Sequence, residues 1–181
     1  MPGLEPNNSA LVIIDVQGKL AHLVHDKETM HANIQRLVKC AAILKVPVLL
    51  AEQNPTGLGQ TIPEIAQLLP TADPIPKMSF SCYGCEAFIG VLRSYHRKQV
   101  LVAGIEAHVC VYQTVSDLLR QKYEVHVLAD AVSSRLPQNK QIALDRMKAE
   151  GAIISSTEMA VFELLKTAEH AAFREIIKIL K

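Results

Sequence analysis

Short apolar runs alternate along the chain with longer segments in which apolar residues recur every three or four positions. The runs predict buried strands, and the three-to-four spacing predicts amphipathic helices. The strands are predicted over 10–16, 47–51, 99–103, 124–129 and 152–155, with a weaker one over 73–76. The helices are predicted over 30–45, 86–97, 109–122, 138–150, 157–165 and 169–180. Such alternation is typical of an α/β fold in which helices cover both faces of a parallel sheet.

Turns and length favour one domain. Gly104, Gly151 and the stretch Asp130–Pro137 mark turns between the predicted elements. No segment resembles a linker, a repeat or a low-complexity tract, and 181 residues suit a single core. We therefore expect one domain over 1–181, with its core at about 8–166 and a C-terminal helix over 168–181.

The amino-acid composition limits the classes of partner expected for this protein. Hydrophobic residues make up 49% of the chain, yet no run approaches the roughly 20 residues that cross a bilayer. Nineteen basic and 18 acidic residues are interspersed, with a net charge of +1, which argues against nucleic acid or a membrane surface as the main partner. Four cysteines are too few for a disulfide scaffold, and the N-terminal segment has no targeting pattern. A soluble, cytoplasmic protein with a small-molecule substrate is expected.

Polar residues follow several of the predicted strands. In a parallel sheet, ligands bind beyond the carboxyl ends of the strands. Gln53 and Asp130 follow the second and fifth strands, whereas Asp15, Lys77 and Cys110 follow the first, the weak third and the fourth. The last three together supply the parts of an activated nucleophile.

Asp15, Lys77 and Cys110 suit thiol chemistry. A thiol attacks as the thiolate, so it needs a base and a nearby positive charge. Asp15 can be the base, Lys77 the charge, and a helix beginning near Cys110 would favour the anion by its dipole. We therefore expect a lowered thiol pKa. Taken singly, the residues also fit a buried apolar cysteine, a capping aspartate and a solvated lysine; their common sheet edge favours the catalytic interpretation.

Four segments resemble the isochorismatase-like hydrolases, in the same order between about residues 10 and 165. They are ALVIIDVQ at 10–17, KMSF at 77–80, VAGIEAHVCVYQT at 102–114 and LADAVSSR at 128–135. The pieces AEQNPTGLG, SFSCYG and STEMAVFELL are most similar to the YcaC-related and isochorismatase domain-containing subgroup.

This resemblance implies a three-layer α-β-α, Rossmann-like fold with a six-stranded parallel sheet. It also implies an Asp15, Lys77, Cys110 triad and a cis peptide bond between Ile105 and Glu106. The backbone amides of Glu106 and Cys110 would then face the developing oxyanion. The implied reaction is hydrolysis of a C–N bond in a small amide or ureide through an acyl-enzyme.

The resemblance also sets expectations about the pocket. Nicotinamidases of the family have an Asp and two His for a metal after the second strand, whereas LLAEQNPTGLGQT at 49–61 contains no His. We therefore expect no catalytic metal and no cofactor. The Glu106 carboxylate should point away from the thiol, where it would otherwise raise the pKa. By residue type alone, aromatic walls and amide groups suit a small uncharged ligand, although such aromatics also fit the core and such glutamines a structural role. The residues expected on this basis to line the pocket are Gln17, Gln53, Phe80, Tyr83 and Gln113.

Two other functions are compatible with the sequence. The fold could serve as a non-catalytic oligomeric scaffold, and a homo-oligomer is expected in either case. An apolar face on the terminal helices fits either assembly or burial in the core; its residues are Phe162, Leu164, Leu165, Ile176 and Ile179. Alternatively, the C-x-x-C formed by Cys82 and Cys85 could act in thiol redox chemistry, although coincidence explains one short motif better.

Overall fold

The computed structural model describes residues 3–181 as a parallel sheet between two layers of helices. Within this range the sheet has six strands in the order β3-β2-β1-β4-β5-β6. Every pairing is parallel, so the predicted three-layer α/β fold is confirmed. The strands are β1 (Ser9–Ile14), β2 (Val48–Gln53), β3 (Ile75–Lys77), β4 (Gln99–Ile105), β5 (Glu124–Ser133) and β6 (Ile153–Ser155).

Eight α-helices accompany the strands in the described chain. They are α1 (Lys27–Leu44), α2 (Pro55–Leu58), α3 (Pro63–Ala66), α4 (Glu86–Ser94), α5 (Tyr112–Arg120), α6 (Pro137–Ala149), α7 (Thr157–Leu165) and α8 (Phe173–Leu180). Helices α1, α7 and α8 pack on one face of the sheet, and α4, α5 and α6 pack on the other. Strand β1 is apolar from Ala10 to Ile14 because Leu11 faces the first layer and Val12 the second.

The strand order reverses between β1 and β4. From β1 the chain passes through α1 to β2 on one side, whereas from β3 it returns through α4 to β4 on the other. The loops after β1 and β4 therefore diverge, and this divergence opens a crevice at the carboxyl ends of the strands. Asp15 and the segment before Cys110 follow those two strands.

Gly104 allows β1 and β4 to approach closely beside this crevice. Its φ of +121° lies in the region that side chains disfavour, and an added Cβ would lie 2.1 Å from the carbonyl oxygen of Ile14. The residue is therefore a close backbone contact within β4 and not the turn predicted from sequence.

Several predicted boundaries differ from the structure. Strand β1 ends at Ile14 because Asp15 has a left-handed φ of +54°. Strand β5 continues through Asp130 to Ser133, with a register shift against β4, so the predicted turn at Asp130 is wrong. The Asp130 carboxylate instead accepts hydrogen bonds from the backbone nitrogen and hydroxyl of Thr157, at the start of α7.

The C-terminal helices also differ from the expectation. Helix α8 begins at Phe173 and not at residue 169. Leu164, Leu165 and Ile176 are buried in the core shared with α1, so they do not form the exposed assembly face considered from sequence. In the described residues, no helix is both long and apolar enough to span a bilayer.

Candidate active site

Asp15 and Lys77 form a buried ion pair at the carboxyl ends of β1 and β3. Lys77 Nζ lies 2.8 Å from Asp15 Oδ2, and the two side chains are 1% and 2% exposed. Between them, β2 ends at Gln53, whose Oε1 accepts a hydrogen bond from Lys77 Nζ at 2.9 Å. The carbonyl oxygens of Ser79 and Phe80 also accept from this ammonium, at 3.2 and 3.0 Å. Four oxygen atoms therefore fix the positive charge behind the carboxylate.

The second oxygen of Asp15 has no well-formed hydrogen bond. Oδ1 is buried and has no hydrogen-bond partner among the described residues, and the Cys110 thiol lines the same cavity as this carboxylate. Burial raises the pKa of Asp15, and the charge of Lys77 opposes that rise. The carboxylate is thus held beside a thiol proton that it can accept.

Cys110 lies in a π-helical turn that connects β4 to α5. The turn covers Ala107–Val111, and the backbone nitrogen of Val111 donates to the carbonyl of Glu106 at 3.3 Å, five residues back. The predicted α-helix over 109–122 is therefore wrong in its first turn. Apolar spacing does not separate a single π turn from an α turn, since both bury the same residues. The turn leaves Cys110 only 7% exposed.

The ionisation of Cys110 differs from the expectation. Burial raises the pKa of the thiol, the negative charge of Asp15 raises it further, and Lys77 only partly opposes them. The expected lowering of the thiol pKa is therefore wrong. Burial and the Asp15 charge both favour the neutral form of this thiol.

A cavity of about 120 Å³ opens beside the thiol and the carboxylate. Gln53 and Phe80 line it, as predicted, and so do the three apolar side chains of Leu20, Leu58 and Val109, which sequence reasoning missed. Nothing in the sequence distinguishes these three from core residues. The complete lining is Asp15, Leu20, Gln53, Leu58, Phe80, Ile105, Glu106, Val109 and Cys110.

Gln17, Tyr83 and Gln113 are absent from this lining, in contrast to the prediction. Gln17 is fully buried; its Nε2 donates to the carbonyls of Gln53 and Gly59, and its Oε1 accepts from the backbone nitrogen of Gln53. The Tyr83 hydroxyl accepts from Arg93, and Gln113 is exposed on α5. These three side chains were assigned to the pocket by residue type alone, and the structure places them in other contacts or at the surface.

Glu106 follows the cis peptide bond between Ile105 and Glu106, which matches the implication of the resemblance. Its Oε1 accepts from the backbone nitrogen and from Nε of Arg135, at 3.1 and 3.0 Å. The carboxylate is thus paired with Arg135 and not with Cys110, as expected. Because that charge is paired, Asp15 is the carboxylate that acts on the thiol.

Cys82 and Cys85 are both free thiols. Cys82 is fully buried, its backbone nitrogen donates to Thr114 Oγ1, and burial raises the pKa of its thiol to about 12. A neutral, inaccessible thiol is a poor partner in thiol exchange. Among residues 3–181, no three His, Cys, Asp or Glu side chains gather in an arrangement that could hold a metal ion.

The fold and the site together define a class of α/β enzymes. The sheet is parallel and doubly wound, and a thiol, a carboxylate and a buried ammonium lie where its strand order reverses. The sequence matches the Isochorismatase domain over residues 9–159, so the chain belongs to the isochorismatase family. It is an isochorismatase-family hydrolase. Isochorismatase domain-containing protein 2 from Homo sapiens is 37% identical over 177 residues, covering 97% of this chain and 84% of the human protein.

Solved structures share the fold. The MAR1 ribonuclease from Caenorhabditis elegans is 36% identical with a TM-score of 0.91, over 98% of this chain and 92% of that one. YcaC from Pseudomonas aeruginosa, solved with covalent acrylamide, is 25% identical with a TM-score of 0.92, over 98% and 91% of the two chains. The YcaC gene product from Escherichia coli, described as an octameric hydrolase of unknown specificity, is 25% identical with a TM-score of 0.90, over 99% and 88%.

Proposed function

We propose that this protein is a metal-independent cysteine hydrolase that cleaves the C–N bond of a small amide or ureide. Asp15, Lys77 and Cys110 act as a triad, and the reaction passes through an acyl-enzyme. The observation that supports this proposal most directly is that the Cys110 thiol and the unpaired oxygen of Asp15 lie at one small cavity. Lys77 is held in place by its ion pair with the other oxygen of Asp15.

The first step forms the covalent bond. Cys110 Sγ attacks the carbonyl carbon while its proton passes to Asp15, so the neutral resting thiol becomes nucleophilic only as the S–C bond forms. The carbonyl π pair moves to oxygen. The backbone amides of Glu106 and Cys110 stabilise that oxyanion, and a donor of this kind is worth about 3–4 kcal/mol.

The second half releases the products. As the C–N bond breaks, Asp15 returns the proton to the leaving nitrogen, and an amine departs from the thioester. Asp15 then takes a proton from water, whose oxygen attacks the thioester carbon. The carbonyl re-forms as the S–C bond breaks, and Asp15 returns the proton to the departing sulfur, which restores both the thiol and the carboxylate and completes the net addition of one water. Lys77 keeps the carboxylate in one orientation throughout.

One relative supports a nucleophile in this fold. The covalent acrylamide in YcaC from Pseudomonas aeruginosa is consistent with a reactive nucleophile, whereas the amide or ureide substrate proposed here follows from the chemistry of the triad. A cavity of about 120 Å³ fits a compact substrate better than a nucleic acid strand. Because one relative is described as a ribonuclease, RNA belongs in the substrate panel as a competing substrate.

The test is turnover of small primary amides and ureides by wild type and Cys110→Ala. We expect the variant to lose at least about 10³-fold in kcat, because the other triad residues cannot supply a nucleophile. Cys85→Ala, which removes a half-buried thiol outside the cavity, should retain activity. Both variants should keep the wild-type Tm. Full amide turnover by folded Cys110→Ala, or cleavage of RNA alone, would contradict the proposal.

A further inference from the structure

A second and larger depression lies away from the cavity that contains Cys110. Its volume is about 450 Å³, within the range of ordinary ligand sites. Lys98 and Tyr123 directly precede β4 and β5, so this part of the wall lies at the amino ends of the strands, opposite the edge that holds the thiol. We call it the basic groove; it is lined by Tyr83, Arg93, His96, Arg97, Lys98, Gln121 and Tyr123.

The basic groove concentrates positive charge in a chain that is nearly neutral. Its lining includes two arginines, a lysine and a histidine but no acidic residue, whereas the whole chain has a net charge of only +1. Arg93 donates to the Tyr83 hydroxyl at 3.0 Å, and Arg97 donates to the carbonyl of Pro6 at 2.8 Å. Both guanidinium groups are therefore oriented by neutral oxygens.

In the part of the chain that the structure describes, no ion pair neutralises this charge. Within residues 3–181, the side-chain ion pairs up to 4.0 Å do not include Arg93, Arg97 or Lys98. An unopposed group of this kind attracts anions, and guanidinium groups pair with phosphate through two parallel hydrogen bonds. Each arginine keeps further N–H groups for such a ligand, since only one of its nitrogens is occupied in the bonds above.

Aromatic rings accompany the cations. Lys98 Nζ lies 5.5 Å from the centre of the Tyr123 ring, and the half-buried Tyr83 lies beside Arg93. A phosphate needs only the cations, whereas planar rings beside them also suit a stacked base. The combination favours a ligand with both parts.

We propose that the basic groove binds a nucleoside diphosphate or triphosphate, at a site separate from the hydrolytic cavity. Arg93, Arg97 and Lys98 hold the phosphates, and Tyr83 contacts the base. The nine residues that line the cavity are all different from those of the groove. Binding therefore does not depend on the hydrolytic reaction proposed above.

Isothermal titration with ADP, pyrophosphate and adenosine tests the proposal on the full-length protein at low salt. We expect ADP and pyrophosphate to bind more weakly as NaCl is added, and adenosine alone not to bind detectably. Arg93→Gln/Lys98→Gln should weaken ADP binding by about tenfold or more, since it removes two phosphate contacts. Lys39→Gln/Lys148→Gln removes the same charge from exposed positions outside the groove and should leave the Kd within about twofold.

Tyr83→Leu separates the two parts of the ligand. It should weaken ADP several-fold more than it weakens pyrophosphate, because both ligands lose the hydroxyl that orients Arg93 but only the base of ADP loses its contact with the ring. Equal Tm values for all variants establish that each is folded. The proposal is overturned if ADP does not bind at millimolar concentration, if the control pair weakens ADP equally, or if single-stranded RNA binds where ADP does not.

Discussion

The Asp15 carboxylate and the Cys110 thiol occupy one buried space, where the charge of the first opposes ionisation of the second. Lys77 acts in the opposite direction on the thiol. Asp15 and Lys77 together therefore do not lower the pKa of the Cys110 thiol below its ordinary value. Slow alkylation of the resting enzyme at neutral pH follows from burial and does not by itself favour a non-catalytic scaffold.

Asp15→Asn should accelerate alkylation of Cys110 and abolish hydrolysis. Removing the carboxylate charge lowers the pKa of the thiol, so more thiolate is present at a given pH, while the base required for turnover is lost. Lys77→Met removes the opposing charge and should slow alkylation. The measurement is the rate of iodoacetamide labelling of Cys110 from pH 6 to about 10, by mass spectrometry without substrate.

Labelling of Cys85 in the same samples is the control and should not change, because Asp15 and Lys77 do not contact it. Slower labelling of Cys110 in Asp15→Asn would contradict the assignment of Asp15 as the charge that suppresses the thiolate.

Within single elements, Gly104 in β4 is the most restricted backbone position next to the site. An added Cβ would meet the carbonyl oxygen and nitrogen of Ile14 at 2.1 and 2.6 Å, one residue before Asp15. Neither atom can move without shifting β1. The strand pairing and the position of the carboxylate therefore depend on the same glycine.

Gly104→Ala should lower the free energy of unfolding by about 2–4 kcal/mol, from the disfavoured φ and the backbone clash together. Gly90→Ala is the matched control: an added Cβ meets nothing within 4 Å on α4, and the change should stabilise by about 0.5–1 kcal/mol. Urea unfolding measures both. A Gly104→Ala protein as stable as wild type would show that β1 and β4 can separate at low cost.

Much of the fold was predictable at the level of elements, since apolar runs and helical spacing identify strands and helices directly. The short helices α2 and α3 were missed because four residues carry too little periodicity. The extension of β5 through Asp130 depends on tertiary contacts with α7, which local turn propensity does not contain.

The candidate site was predictable where it consists of polar residues at strand ends. Asp15, Lys77 and Cys110 come together because parallel strands end at one edge. The apolar wall of the cavity was not predictable from sequence, because Leu20 and Leu58 reach the cavity only through the path of their loops. The direction of the thiol pKa also required the structure, since burial outweighs the neighbouring charge.

The whole molecule presents exposed apolar side chains that its own core does not cover. Met78 is 73% exposed, and Phe80, at 54%, lies on the cavity wall. Leu136 and Ile142 are exposed at 58% and 57%. Such residues are common at contacts between subunits.

We therefore expect a homo-oligomer in solution. Native mass spectrometry at micromolar concentration should give a mass of at least twice that of the 19.9 kDa chain. If the exposed pair Met78 and Phe80 lies at the contact between subunits, Phe80→Glu/Met78→Glu should lower the measured mass. The control Lys39→Gln, on an exposed part of α1, should leave the mass unchanged. A wild-type mass near 20 kDa alone would contradict the expectation.

The Gln17 side chain acts as a substitute peptide unit. It pairs with both main-chain groups of Gln53, accepting from the nitrogen at 2.7 Å and donating to the oxygen at 3.1 Å. A neighbouring strand would form the same two bonds, but the backbone of β1 has already turned aside at Asp15. The Gln17 side chain thus replaces one backbone pairing of β1 with β2. Asp15 can therefore leave the sheet while the backbone groups of Gln53, at the end of β2, keep their hydrogen bonds.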